Sequence, residues 1–201
     1  MSKEVGRSKT SVQSAWKASC AMAAIIFASI LHSPRANAQG GSAPTDPQIV
    51  GIVGTADQID IDYAKLALSR TSNTQVRDFA KQMITDHSSV QKAVESLAAK
   101  LNVTPADSET SNSLKAQAQQ MTQKLQGLHG QAFEKAYIDN EVGYHQAVIN
   151  ATKTLLIPSA QNTELKAALQ GATPLFEGHL QHAQKVQSAL EGGEMLGSGG
   201  K

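Results

Sequence analysis

Three histidines and one aspartate supply the residue types from which a metal site is built. On a helical reading of "KQMITDHSSVQ", His87 falls in line with Val76, Phe79, Met83, Val90 and Val94, the stripe that turns toward a core. His145 lies between Val142 and Val148, and His179 stands three residues after Phe176 and four before Ala183. Asp60 is the acid nearest the apolar stripe of the preceding segment, at helical steps from Val53, Ala56 and Ala67. Imidazoles and carboxylates aimed at one interior from separate helices are how bundles hold metal ions. A plainer reading needs no ion: each ring is a neutral imidazole hydrogen-bonded to an acid, a tyrosine or a backbone carbonyl.

Register supports a meeting of Asp60 and His87, while the expected kink at Pro174 leaves the height of His179 against His145 open. Asp60 precedes Ser72, and His87 follows it, by distances that come to roughly 18 and 22 Å along antiparallel helices at about 1.5 Å per residue. A di-iron centre would demand Glu-x-x-His on two helices beside a Glu from each of two others. The residues three before His87, His145, His179 and His182 are Ile84, Val142, Phe176 and His179, so the motif is absent and a standard di-iron ferroxidase is not expected. Nor does any marked serine motif or Gly-rich strand-to-helix loop point to a nucleophilic triad or a phosphate cradle. No catalytic residue is assigned.

The elements that must position these groups follow from the pattern. Lys3, Arg7, Lys9 and Lys17 precede the apolar run "ASCAMAAIIFASIL", and "ANAQ" follows with Ala36 and Ala38 at the small-x-small spacing of a cleavage site. Residues 1–38 therefore read as a secretory signal peptide, and the mature chain as a protein exported to the periplasm or cell envelope of a bacterium. Its removal takes basic residues from 18 to 13 and acids from 17 to 16, leaving the mature chain net −3. That balance argues against a nucleic-acid partner. The cysteine, Cys20, falls in the leader, so a core and not a disulfide framework must hold the mature fold. The mature chain shows no transmembrane segment, and a protein partner or a homo-oligomer is compatible with it.

Residues 39–47 read as a Gly/Pro linker, 48–191 as one domain, and 192–201 as a disordered Gly-rich tail. Helical periods run through the domain almost without interruption. The first helix spans about 48–71, and a Ser72–Gln75 capping box starts the second. The third should open at "TPAD", with Thr104 as cap, Pro105 in first position and Asp107 at the positive end. The fourth covers about 131–156 up to Pro158, and the last covers 162–190 with a kink or break at Pro174. The fold class is all-α: a ferritin-like up-and-down four-helix bundle with an additional or kinked C-terminal helix.

"LALSRTSNTQVRDFAKQMITDH", "GQAFEKAYIDNEVGYH" and "TPLFEGHLQHA", in that order and spacing, resemble the bacterial family called domain of unknown function 4142. The resemblance covers about 52–190. It marks Phe79, Ala80, Asp86, His87, Phe133, Tyr137, His145, Pro174 and His179, and it aligns Asp60 and Asp62 with paired acids of the family's first helix. It implies a ferritin-like bundle and brings no activity. Where members often carry an acid beside the fourth-helix histidine, this chain has Gly143-Tyr144, with Glu141 one turn earlier. Two functional readings result. The first is a non-catalytic envelope protein with a binding or structural, stress-related role. The second is a metal-binding protein or metalloenzyme holding a divalent transition metal through Asp60, His87, His145 and His179.

Overall fold

The computed structural model describes residues 42–197, so the expected leader at 1–38 lies outside the described residues. Helix α1 (Asp46–Arg70) starts inside the stretch expected as linker. The backbone N–H of Thr45 donates to Gln48 Oε1 at 3.0 Å, and Pro47 sits in the first turn, where a missing N–H costs nothing. Helix α2 (Thr74–Lys100) is capped one residue later than expected, by Asn73, whose Oδ1 accepts from the amides of Gln75 and Val76.

Helix α3 (Glu109–Gln126) begins after "TPAD" and not within it, capped by Ser108. Residues 103–107 are instead drawn against α1: the Ala106 N–H donates to the Pro47 carbonyl at 2.9 Å. Gly51 makes this approach possible, because a Cβ there would stand 2.2 Å from the Ala106 oxygen. Asp107 stands directly before the Ser108 cap, at the positive end of α3 as expected, and pairs with Lys115 at 2.7 Å.

Helix α4 (Gly130–Ala151) opens on a glycine at φ +53 and widens into a π-helical turn at Thr152–Leu156, followed by a single turn, α5 (Ile157–Ser159). Pro158 has no N–H to give the regular ladder, and Ile157 instead reaches five residues back to the Thr152 carbonyl. Helix α6 (Thr163–Gly197) runs unbroken through Pro174 and beyond residue 192, where the tail was expected to start. The carbonyl left without a donor by Pro174 belongs to Gln170, an exposed residue, so water can take it. No described helix is long and apolar enough to cross a membrane.

Four long helices close a ring in which α1 packs on α2 and α4, and α6 lies between α4 and α2. Each neighbour runs antiparallel to the next, because α3 carries the chain back along α1 before α4 begins. The additional helix is thus α3, in mid-chain, and not the C-terminal one. It covers a second side of α1, which explains why Ile49, Val50, Ile52, Ile59, Ile61 and Tyr63 are buried well beyond one stripe. Phe79, Met83, Phe133, Tyr137, Leu169 and Val186 fill the ring between the ends. The burial of these side chains is the main favourable contribution to folding, at about 1.5–3 kcal/mol each.

Candidate metal centre

The bundle's middle layer is polar. Asp57 and Asp60 face inward from α1, His87 from α2, Glu141 and His145 from α4, and His179 from α6, all buried. They share a layer because the helical steps 57–60 and 141–145 each advance about one turn, and because the antiparallel pairs place mid-helix residues at one height. The three imidazoles form a triangle with ring centroids 5.7 Å (His87–His145), 5.1 Å (His87–His179) and 5.3 Å (His145–His179) apart. Phe176 stacks flat on His87 at 5.7 Å and walls one side.

Each ring has one nitrogen occupied and one free. His87 Nδ1 donates to Asp57 Oδ1 at 2.8 Å, His145 Nδ1 to the Glu141 backbone carbonyl at 3.0 Å, and His179 Nε2 to Asp86 Oδ2 at 2.9 Å. These bonds fix the tautomers, so His87 Nε2, His145 Nε2 and His179 Nδ1 carry lone pairs, and none of the three has a hydrogen-bond partner. One ligand atom from each ring lies within 4.8 Å of the other two. Asp60 Oδ2 sits 3.2 Å from His87 Nε2 and 3.4 Å from His145 Nε2, close but misdirected for a hydrogen bond, and both Asp60 oxygens are orphaned. Ligands at about 2.0–2.1 Å around a tetrahedral ion stand about 3.3 Å from one another, a spacing that Asp60 has to two of the three rings, His87 and His145.

The electrostatics match that disposition at His145 and His179 and oppose it at His87 while no cation is present. Burial, reinforced by the charges of His87 and His179, pushes the His145 ring down to about 3 and keeps it neutral. Burial lowers His179 too, against the opposing hydrogen bond of Asp86. Burial also disfavours charge on His87, but the Asp57 hydrogen bond and the charges of Asp60, Asp57 and Asp86 outweigh it and raise this ring. Desolvation lifts the Asp60 carboxyl to about 6 and raises Glu141 well above the usual carboxylate range. A cation in the layer would oppose the upward shifts of His87, Asp60 and Glu141 and reinforce the neutrality of His145 and His179, since ligands bind in their deprotonated forms.

The structure brings Asp60, His87, His145 and His179 into one buried layer, with Asp60 within 3.4 Å of His87 and His145. Asp62 does not join them: it is exposed on the outer face and accepts from Gln58 at 2.9 Å. Its expected place as the second acid of α1 is taken by Asp57, which the sequence reading missed although its three-residue step from Asp60 was the available signal. Glu141 supplies the carboxylate that Gly143-Tyr144 lacks, 3.6 Å from His145 Nδ1. His182 lies apart from the triangle, bonded to Gln82 at 2.8 Å and edge-on to Phe79.

No curated protein matches this chain. Among solved structures it is similar to one described as "Crystal structure of DUF305 fragment from Deinococcus radiodurans", with 17% identity and a TM-score of 0.58 over 73% of this chain and 99% of that one. That likeness supports the helical-bundle fold. The model of the family described as "Domain of unknown function (DUF4142)" matches residues 31–186, and the chain belongs to that family.

Proposed function

We propose that this protein is an exported metal-binding protein of the bacterial cell envelope, holding one divalent transition-metal ion through His87, His145, His179 and Asp60. One observation carries the reading: three imidazoles each have one nitrogen tied back to an acceptor and the other orphaned in a single buried layer. A merely structural histidine would be satisfied on both sides or reach solvent, since a buried unpaired polar group costs about 1–3 kcal/mol. Imidazoles oriented by carboxylates and a carbonyl are the outer-shell arrangement that fixes metal ligands. A three-nitrogen, one-oxygen donor set suits zinc, copper, iron or nickel more than magnesium or calcium. The basic segment, short apolar run and small-x-small site at 1–38 support export.

Thermal unfolding with added Zn²⁺ or Cu²⁺ tests the site. Binding to the folded state alone should raise the melting temperature, by the equivalent of about 2.7 kcal/mol at a ligand concentration of 100 Kd. The rise should disappear in His87→Ala and His145→Ala. An unchanged melting temperature in the wild type, with no metal retained after dialysis, would return these rings to a purely structural role.

A further inference from the structure

One ion at the histidine triangle leaves part of the layer unexplained. Its fourth ligand would be Asp60 Oδ2, yet Asp60 Oδ1, both carboxylate oxygens of Glu141 and the Tyr137 hydroxyl are also buried without hydrogen-bond partners. Asp60, Glu141 and Tyr137 are each fully excluded from solvent. Tyr137, Glu141 and His145 follow one another at single-turn spacing on α4, so they project from the same side of that helix. Ligand atoms of Asp60, Glu141 and His145 form a second group within 4.8 Å, overlapping the triangle only at His145. The orphaned oxygens of the two acids are acceptors, so ionised carboxylates cannot satisfy one another; they need something positive between them.

Resting on the reading of the triangle as a metal site, we propose that the same layer takes a second divalent cation, at an oxygen-rich subsite of Asp60 Oδ1, Glu141 and Tyr137, with Asp60 bridging the two ions. The subsites differ in chemistry. The triangle offers three nitrogens and one oxygen, whereas the second offers hard oxygen donors, which suit manganese, ferrous iron or magnesium. Bridged ions of this kind stand about 3.5–4 Å apart. Asp60 can bridge because its two oxygens are free on opposite sides of one carboxylate. No Glu-x-x-His is involved, which separates this arrangement from the ferroxidase pattern the sequence lacks.

The test uses the mature protein loaded with one equivalent of Zn²⁺, dialysed, and titrated with Mn²⁺ while the six-line paramagnetic resonance of free Mn²⁺ is followed. Zinc-loaded wild type should bind one further Mn²⁺. Glu141→Gln, nearly isosteric, should keep its zinc and bind Mn²⁺ at least tenfold more weakly, and Tyr137→Phe should weaken Mn²⁺ alone. Absence of Mn²⁺ binding to zinc-loaded wild type would overturn the second subsite and leave a shared proton between the acids. Loss of zinc itself in Glu141→Gln would also overturn it, by making Glu141 a ligand of the first ion. Failure of the wild type to retain any zinc is a different result, which removes the triangle and with it the subsite built upon it.

Discussion

Two buried polar clusters in this bundle differ in how completely they are satisfied. At the α1–α2 turn, Arg77 donates to the carbonyls of Leu68 and Thr71 at 2.9 and 3.0 Å. The Thr71 hydroxyl donates to Glu134 and accepts from the Asn73 amide, and Arg70 reaches the Leu128 carbonyl at 2.9 Å. In the middle layer, by contrast, Asp60, Glu141, His87, His145 and His179 all present atoms with no partner. The turn cluster is closed, and its geometry is explained by the fold it locks. The middle layer is open, and its orphaned lone pairs converge. Burial of polar groups is therefore no sign of a site by itself; the direction and satisfaction of each atom separate a staple from a ligand set.

The largest effect expected on the ion-free fold comes from Asp60→Asn. The Asp60 carboxyl rises from 3.8 to about 6 in the folded state, so its contribution to stability is whole below pH 4 and is lost as pH climbs through 6. At pH 7.5 the ionised group should leave the ion-free protein about 3 kcal/mol less stable than a neutral group would, because each tenfold change in proton affinity is worth about 1.4 kcal/mol. Denaturant titration of ion-free Asp60→Asn should therefore show a gain of up to about 3 kcal/mol at pH 7.5, alongside weaker metal binding. The His145 ring, lowered from 6.5 to about 3, has the opposite sign: its contribution is present above pH 6.5 and declines as pH falls toward 3. With Asp60 neutralised, stability should rise more steeply between pH 4 and 6.5 than in the wild type. Loss of stability at pH 7.5 in Asp60→Asn would mean that the carboxylate already has an internal partner.

A smaller effect is expected from the group that orients a ring without touching the ion. Asp57→Asn keeps the volume but weakens the bond that fixes the His87 tautomer, and should reduce metal affinity about 10–100-fold. Competition with a chromophoric chelator would measure it, and an unchanged affinity would reduce Asp57 to a packing residue. The smallest belongs to the closed cluster: Thr71→Val should destabilise the protein by about 1 kcal/mol through the lost bond to Glu134, with metal affinity unchanged. A change in affinity there would show that the two clusters are coupled.

The amino-acid sequence by itself determined the helices, because periodicity, turns and breakers are local: the 3.6-residue stripes on α2 and α4 and the turns at 71–73 and 160–162 are all legible. It also placed Asp60 and His87 at compatible heights, since rise per residue is constant, and put His145 and His179 on inward-facing stripes. Helix starts were less legible: Asn73 displaced Ser72 as a cap, and the 103–107 stretch left its helix to lie on Gly51, a contact between segments far apart in the chain. Tertiary structure alone decided that α3 shields a second side of α1, and that Asp57 meets His87 of α2 while Asp62 stays in solvent. It alone decided which nitrogen of each ring is tied and which is free, because that depends on acceptors supplied from other helices and from the preceding helical turn, at distances no spacing rule contains.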